Sequence, residues 1–312
     1  LRHRLVQKWN ETEDEAKEKV VLFDIQKTEE LINGNWSEES LKQYKTNNSP
    51  AAQRGLRYII GDNCVDLIIG GPPCQAYSIH GRATDKNSMK DDYRNYLFES
   101  FVKVVDAFKP KAFIFENVTG MLSAKPGGEL VVERIYKAFS EIGYTVLEPN
   151  DLKKSVYDAN DFAVPQKRER VILFGLRKDQ KTTLAEFYKQ LESLKCNEHL
   201  TVRDAIADLP PIYPLEHVEK VKGKNVSHKA VDESDPFHMP RHCSARDISM
   251  IREWIGAEMN KCSQKEAIAF YKKITGKDTL YRKYRNLECD KTSQTVVANL
   301  QKDGYMFIHH YI

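Results

Sequence analysis

Four side chains that can perform chemistry stand next to short apolar runs. Cys74 follows the run 65–69 and a Gly-Gly-Pro-Pro turn, Glu116 ends the run AFIF, and Arg168 and Arg170 precede the run VILF. Prolines before the thiol fix the backbone, which favours a nucleophile presented at the head of a loop over an ordinary core cysteine. In open α/β sheets, ligands and reactive groups gather where the strands end.

These residue types suit attack on an electron-poor ring. A Cys74 thiolate could add to carbon 6 of a pyrimidine, and a protonated Glu116 could hydrogen-bond ring nitrogen 3 and stabilise the developing negative charge. Carbon 5 then becomes nucleophilic and can take a methyl group. Strand alternation puts Arg168 and Arg170 on one face, where they could hold a ring carbonyl or a phosphate; a solvated charged segment is the alternative.

A cysteine hydrolase is a competing interpretation of the same thiol. It would need a histidine that activates Cys74, and His80 is the only histidine close to it in the sequence. No oxyanion-type pattern is present, and the Glu-Asn-Val that begins at Glu116 has no part in such a hydrolase, so this interpretation is the weaker one.

The elements that must position these residues alternate along the first half of the chain. Strands are predicted at 20–23, 65–69, 112–115, 144–147 and 171–174, and helices at 94–108 and 130–142. This alternation predicts an α/β fold with a doubly wound, mostly parallel sheet. Asp24, Cys74 and Glu116 follow three of the strands and are therefore expected at one edge of the sheet.

Polar segments without a firm period separate these elements. Residues 33–53 are interpreted as a surface insertion with a short helix at 38–44, and residues 58–62 as a short strand or the approach to the next one. The stretch 80–93 is too long for a tight turn, and long irregular loops in compact domains are usually functional or disordered.

The sequence changes in character beyond Lys178. Helices are predicted at 182–196, 201–209, 244–255 and 264–274, a loop at 216–242, a strand at 292–300 and a hairpin turn at 303–304. Arg282, Lys283 and Arg285 alternate with two tyrosines in a basic patch, which is either a solvated face or a phosphate contact.

Composition limits the classes of function. The chain has 312 residues, with 48 Lys and Arg against 45 Asp and Glu, so a net charge of +3 neither requires nor excludes a nucleic acid. Its six cysteines lack paired C-x-x-C spacing, which predicts neither a zinc site nor a disulfide framework and suits a reducing cytosol. No apolar run is long enough to span a bilayer.

Three motifs, GPPCQAYS at 71–78, ENV at 116–118 and QKRER at 166–170, resemble those of the DNA cytosine-5 methyltransferase family in composition and order. The resemblance implies a Rossmann-like methyltransferase fold with a smaller mixed target-recognition domain. It makes Cys74 the covalent nucleophile, Glu116 the acid that recognises the base, and Asn117 a support of the active-site loop. Arg170 would contact the cytosine carbonyl, and Arg168 would help to order the site.

The resemblance also implies contacts with DNA. The stretch 75–90 would be a mobile loop that closes over the duplex, with Gln75, Ser78 and His80 near the phosphates or the gap left by a flipped-out base. Thr295 resembles a threonine of the family that touches a phosphate near the target. Such enzymes must take the target base out of the stack to reach it.

The family's cofactor is S-adenosylmethionine. Asp24 and Ile25 resemble its adenine-contacting strand end, with Asp62 a competing candidate for that acid, and Pro73 and Leu97 match positions that line the cofactor. The Gly-rich loop of the F-x-G-x-G-G type and the closing motif of the family are absent from these residues. We therefore expect a fragment of a longer enzyme; a split enzyme completed by a second chain is the alternative.

The expected organisation is an incomplete catalytic domain at 1–177, a target-recognition region at 178–290 and the start of a return to the catalytic domain at 291–312. The expected function is methylation of cytosine at carbon 5 in duplex DNA through a Cys74 adduct. A tRNA cytosine methyltransferase and an inactive DNA-binding fragment are the alternatives. The expected setting is a cytoplasmic monomer without metal, either in a bacterial-type restriction–modification system beside a cognate restriction endonuclease or as an orphan methyltransferase.

Overall fold

A computed structural model describes residues 1–73, 97–221, 223–230 and 242–296. These residues divide into two compact units. The first unit comprises Leu1–Tyr157 and Glu169–Leu194, and the second comprises Asp158–Arg168 and the described residues from Lys195 onward. The predicted border between Arg177 and Lys178 differs from this division, and the functional assignment of each region stays a prediction.

Among the described residues, the first unit opens with five α-helices and then alternates strands and helices between residues 67 and 145, whereas helices flank one hairpin in the second. The helices are α1 (Arg2–Trp9), α2 (Glu13–Lys19), α3 (Thr28–Asn33), α4 (Glu38–Tyr44), α5 (Gly55–Ile60), α6 (Leu97–Phe108), α7 (Val131–Glu141), α8 (Leu184–Ser193), α9 (Val202–Ile206), α10 (Ala245–Gly256) and α11 (Gln264–Thr275). The strands are β1 (Leu67–Gly70), β2 (Ala112–Asn117), β3 (Tyr144–Thr145), β4 (Val156–Asp158), β5 (Glu169–Arg177), β6 (Ile212–Val221) and β7 (Lys224–Ala230).

The central sheet has the strand order β1-β2-β5-β3, and β4 pairs with β5 beside this path. β1 and β2 are parallel, while β5 is antiparallel to both of its neighbours β2 and β3. β1, β2 and β3 therefore point the same way and β5 points the opposite way. The predicted α/β class is confirmed, and the reversal of β5 puts its first residues at the edge where β1 and β2 end.

Aromatic side chains fill the core of the first unit. β2 alternates half-buried and buried residues, so Phe113 and Phe115 point to the same side and are fully buried. Phe113 stacks on Phe139 of α7 with ring centroids 4.0 Å apart. Across the ladder Phe113 faces Gly175, where an added Cβ would come within 2.0 Å of the ring. The glycine in β5 is therefore required by the phenylalanine opposite it.

The second unit has its own smaller core. Trp254 of α10 is fully buried, and its ring lies 5.2 Å from Phe270 of α11 and 5.5 Å from Tyr284. The indole Nε1 donates a hydrogen bond of 2.7 Å to Oδ1 of Asn286, which satisfies the polar atom of this large buried side chain.

β1 has a strand neighbour on one side only among the described residues. Two of its apolar side chains are also exposed, Leu67 by 44% and Ile69 by 67%. A short apolar run of this kind is typical of a buried strand, whereas β1 is a partly exposed edge strand among the described strands of this sheet.

The strand predicted at 20–23 is wrong. The side chain of Asn48 accepts a hydrogen bond from the Leu22 N–H at 2.7 Å and donates one to the Leu22 carbonyl at 2.8 Å. A side-chain amide thus satisfies the backbone groups that a neighbouring strand would have bound. Asn48 and Ser49 are themselves buried, so the segment 33–53 is not simply a surface insertion.

Two other segments also differ from their predictions. Residues 58–60 belong to the short helix α5. Two glycines at positive φ set its limits, Gly55 at its first position and Gly61 just after its end. Much of the loop predicted at 216–242 is the β6–β7 hairpin, whose strands lack the two-residue apolar alternation that would reveal them. The strand predicted at 292–300 is described only to 296 and shows one bridge, between Gln166 and Ser293.

Candidate active site

Three strand ends of the first unit meet at one edge of the sheet. β1 ends at Gly70, and β2 ends with Glu116 and Asn117 beside it because the two strands run in parallel register. Glu116 lies opposite Ile172 and Asn117 opposite Val171 on the antiparallel β5, so Arg170 reaches the same edge from the start of its strand. Strand direction therefore brings the predicted acid and the predicted arginine together.

Glu116 and Arg170 form an ion pair. Arg170 Nε lies 2.8 Å from Glu116 Oε1, with the arginine side chain 19% exposed and the carboxylate 37% exposed. Arg170 also donates from Nη1 to the Glu169 carbonyl at 2.7 Å, which fixes the plane of its guanidinium. The pair was not foreseen, since the sequence assigned the two residues to different parts of a base.

Glu116 also lies against the backbone that leads to Cys74. A Cβ placed on Gly71 would come within 2.8 Å of Glu116 Oε2 and 3.3 Å of the Glu116 carbonyl oxygen. The second glycine of the Gly-Gly-Pro-Pro turn thus leaves room for the carboxylate. Gly70 leaves room in the same way for the ring of Phe101, which an added Cβ would meet at 2.4 Å.

Asn117 connects β2 to the same turn. Its Nδ2 donates to the Pro72 carbonyl at 3.3 Å, and its Oδ1 accepts from the N–H of Val118 at 2.8 Å. The side chain is only 3% exposed. A buried amide with both ends bonded holds the backbone just before Cys74 at a fixed distance from Glu116.

Arg168 belongs to the second unit, where two hydrogen bonds hold its backbone. Asp158 Oδ1 accepts from the Arg168 N–H at 2.9 Å, and the Arg168 carbonyl accepts from the Ala159 N–H at 3.0 Å. Arg168 is half-buried, whereas Lys167 and Glu169 on either side are exposed, which agrees with the predicted alternation. The contact of Asp158 with this motif was not predicted, because the sequence shows only an aspartate in a polar connection.

Thr295 is bonded to the QKRER motif. Its Oγ1 donates to the Lys167 carbonyl at 2.7 Å, and the Val296 N–H donates to Gln166 Oε1 at 2.9 Å. The hydroxyl therefore holds a backbone segment within the second unit. Its predicted contact with a DNA phosphate stays a prediction.

The residues predicted to line the cofactor lie in different local structures and differ in exposure. Asp24 lies in a turn and accepts from the Gln26 N–H at 2.9 Å, and the Ile25 carbonyl accepts from Thr28 Oγ1 at 2.7 Å. Pro73 is exposed, and Leu97 is only 7% exposed at the start of α6. Asp62, the competing acid, is exposed just after α5.

These residues fit only part of S-adenosylmethionine. One carboxylate and three apolar groups suit the edge and faces of an adenine. The ribose hydroxyls and the charged methionine end of the cofactor need donors and acceptors that this set does not contain. The set is therefore incomplete as a cofactor site.

The nucleophile and its loop lie outside the described residues. This applies to Cys74 and to the three predicted DNA contacts that follow it, Gln75, Ser78 and His80. Within the described residues, no group of three or more metal-binding side chains comes together, and no helix is long and apolar enough to cross a membrane.

Comparison with known proteins defines the class to which this site belongs. A model of the C-5 cytosine-specific DNA methylase family matches residues 11–309. The chain is 36% identical over 274 residues to the Type II methyltransferase M.Bpa9945I of Bacillus paralicheniformis, and the alignment covers 82% of this chain and 60% of that protein. The chain belongs to the C-5 cytosine-specific DNA methylase family, and the resemblance predicted from three motifs is confirmed.

Two further similarities cover less. The chain is 40% identical over 152 residues to the Type II methyltransferase M.DdeI of Desulfomicrobium norvegicum, which covers 47% of this chain and 33% of that protein. A solved structure of a methyltransferase encoded within an Escherichia coli prophage is 22% identical, with a TM-score of 0.43 over 76% of this chain and 64% of that one. The chain thus spans less than two thirds of the length of each of these relatives.

Proposed function

We propose that the protein carrying this chain transfers a methyl group to carbon 5 of cytosine in duplex DNA through a covalent adduct on Cys74. One observation carries the proposal. Glu116 and Asn117 contact the Gly71–Pro72 backbone that leads to Cys74, and Arg170 binds the carboxylate of Glu116. An acid, a cation and the approach to a thiol thus converge at the edge of the sheet where chemistry is expected.

The reaction begins at the thiol. The Cys74 thiolate attacks carbon 6 of a flipped-out cytosine and forms a sulfur–carbon bond, while the electrons of the 5,6 double bond move towards ring nitrogen 3. As the base enters, Glu116 takes up a proton, and it then donates that proton to nitrogen 3 and neutralises the charge that develops there. Carbon 5 then takes the methyl group. A water molecule then accepts the carbon 5 proton, the sulfur–carbon bond breaks to release the Cys74 thiolate, and the nitrogen 3 proton returns to Glu116, which restores the aromatic ring.

Arg170 and Asn117 serve the same step in different ways. The ion pair with Glu116 keeps the Arg170 guanidinium oriented until the base arrives. When cytosine enters, the guanidinium donates a hydrogen bond to the ring carbonyl of the base. Asn117 positions the backbone before Cys74 relative to Glu116. The described cofactor residues form an incomplete set for S-adenosylmethionine, which in this family supplies the methyl group.

The names of the relatives suggest a setting. M.Bpa9945I and M.DdeI are both Type II methyltransferases. We propose by analogy that the protein modifies DNA beside a restriction endonuclease of the same specificity. Because the relatives extend well beyond the aligned region, the complete activity is expected only when the remaining part of the methyltransferase is present.

The test is covalent trapping with duplex DNA that carries 5-fluorocytosine in mixed sequence contexts, together with S-adenosylmethionine. Fluorine cannot leave as a cation, so a methylated adduct stays attached to the thiol and survives denaturation. We expect an adduct with the full-length protein, none with Cys74→Ala, and a rate lowered about 100-fold or more with Glu116→Gln, because the amide cannot transfer a proton to nitrogen 3. Cys64→Ala, an exposed cysteine elsewhere in the first unit, is the matched control.

The outcomes separate the alternatives. An adduct that persists in Cys74→Ala would contradict the assigned nucleophile. An adduct with fluorocytosine-containing RNA but not with DNA would favour the tRNA methyltransferase. If the folded protein binds DNA and forms no adduct with either nucleic acid, the methyltransferase proposal is wrong and the DNA-binding fragment remains.

A further inference from the structure

A polar cavity in the second unit lies between α11 and the segment that follows it. Its volume is about 580 Å³, and its lining includes the cations Lys261, Arg282, Arg285 and Lys291 and the single carboxylate Glu288. Several amides complete the lining, among them Gln294. Arginine and amide side chains are the groups that read the edges of nucleobases, and an excess of positive charge favours a nucleic acid.

Most of the cations in this cavity are already bonded within the protein. Lys261 pairs with Glu258 at 2.9 Å, and Lys291 pairs with Glu288 at 2.6 Å. These two cations are therefore partly neutralised and contribute less to the recognition of a ligand.

Arg282 has a structural role. Its Nη2 donates to the carbonyls of Met259 and Cys262, each at 2.9 Å, and its guanidinium carbon lies 5.7 Å from the Trp254 ring. It therefore holds the turn before α11 against the core. The basic patch of the sequence thus separates into residues with different tasks, and Arg282 is not the one that meets a ligand.

Arg285 differs from these three residues. It is exposed, and its one hydrogen bond among the described residues is from Nη1 to the Gln294 side-chain oxygen at 3.1 Å. An amide acceptor orients the guanidinium without neutralising it. The edge formed by Nε and Nη2 is left to make two parallel hydrogen bonds with an incoming group.

Gln294 is itself held in place on both sides. The Ser293 N–H donates to the Pro165 carbonyl at 3.0 Å, and the Lys167 N–H donates to the Ser293 carbonyl at 2.8 Å. Thr295 Oγ1 donates to the Lys167 carbonyl at 2.7 Å. These bonds hold the backbone on both sides of Gln294, and its side-chain oxygen orients the Arg285 guanidinium before a ligand binds, which favours specific recognition of a base edge.

We infer that Arg285 determines part of the DNA sequence specificity by donating to O6 and N7 of a guanine, with Gln294 as the residue that positions it. The planar fork of arginine matches this pair of acceptors, and lysine cannot reproduce it. The inference rests on the proposed duplex-DNA substrate. A phosphate contact predicts a different response to substitution, because a phosphate is satisfied by any cation in reach.

The test selects randomised DNA duplexes by retention on the chain, at fixed salt, and sequences the retained pool. We compare the wild type with Arg285→Ala and Arg285→Lys, and use Lys283→Ala as the control, since Lys283 bonds to the Tyr281 hydroxyl at 2.7 Å and does not line the cavity. We expect a motif with guanine at one position. Both Arg285 variants should lose the preference at that position by about 10- to 100-fold and keep the others.

Three results would overturn the inference: full retention of the motif by Arg285→Lys, a uniform loss of binding across all sequences in Arg285→Ala, or no enriched motif with the wild type. Loss of one guanine preference in both variants supports it even if covalent trapping fails. In that case the proposed chemistry is wrong while the reading of DNA by Arg285 stands.

Discussion

Gly71 packs against the carboxylate of Glu116, so a side chain at position 71 would displace that carboxylate. A methyl group there would come within 2.8 Å of Glu116 Oε2. The tip of a flexible side chain can move away at small energetic cost, and we therefore expect Gly71→Ala to fold normally. A displaced acid, however, no longer meets ring nitrogen 3, and a misplacement of about 1 Å can cost about 100-fold in rate.

Gly71→Ala is accordingly expected to lower the rate of adduct formation on 5-fluorocytosine DNA by about 10- to 100-fold while the thermal transition stays within about 2 °C of the wild type. The control is Gly256→Ala, where an added Cβ meets no atom within 4 Å. Equal rates for both variants would show that the contact between Gly71 and Glu116 has no part in the reaction.

Residue types placed Glu116 at the end of β2 and Arg170 at the start of β5, whereas Asp24, expected at the same edge of the sheet, follows no strand among the described residues. Glu116 and the Gly71–Pro73 turn before Cys74 could be placed from the apolar runs that precede them. The ion pair of Arg170 with Glu116 depends on the reversed direction of β5, which no local pattern in its residues reveals. The bonds of Asn48 to Leu22 link residues 26 positions apart and were equally invisible.

At the scale of elements, Tyr144 joins β3 to the connection before β2. Its hydroxyl donates to the Pro110 carbonyl at 2.6 Å, and its side chain is fully buried. Burial raises the pKa of Tyr144 to about 12, because the phenolate is disfavoured away from water. In the unfolded chain the pKa of a tyrosine is about 10. Folding is therefore favoured by the neutral hydroxyl below pH 10, and this contribution is lost as the pH rises towards 12.

We expect Tyr144→Phe to lower the free energy of unfolding by about 1–3 kcal/mol at pH 8, since the buried Pro110 carbonyl loses its donor. Between pH 10 and 12 the free energy of unfolding of the variant should fall less steeply with pH than that of the wild type. The difference in slope corresponds to at most one proton, the one that Tyr144 releases on unfolding. Urea unfolding at pH 8, 10 and 11 measures both effects. Val132→Ala, a buried variant without a titratable group, should lower stability and leave the slope unchanged. Identical slopes for the wild type and Tyr144→Phe would contradict the argument.

Elements with a clear apolar period were predicted to within a few residues, as α6 and α11 show. The β6–β7 hairpin was missed because the apolar residues of β6 recur at every third position, so no two-residue alternation marks a strand. A run of three apolar residues at 58–60 is equally compatible with a strand and a helix, and the flanking glycines decided for the helix.

At the scale of the whole molecule, each compact unit has a hydrophobic core of its own. Truncation of a large aromatic residue in one core should therefore act mainly on that unit. We expect Trp254→Ala to cost about 3–5 kcal/mol and to lower one calorimetric transition by roughly 10 °C, because it removes a fully buried ring and its bond to Asn286.

Phe139→Ala is the matched variant in the first unit, where its ring is also fully buried. It should lower the other transition and leave the one affected by Trp254→Ala in place. If both variants lower one common transition by the same amount, the two units unfold as a single cooperative body and the division has no thermodynamic meaning.

β1 presents unpaired backbone groups along one side and exposes Leu67 and Ile69 beside them, within the part of the chain that the structure describes. A bare, apolar strand edge is a template for any extended segment that meets it. This chain should therefore aggregate as it is concentrated, which light scattering measures. Ile69→Lys should suppress the aggregation by placing a charge on the exposed edge. The edge strand that precedes Cys74 in the sequence is thus also expected to limit the solubility of the chain.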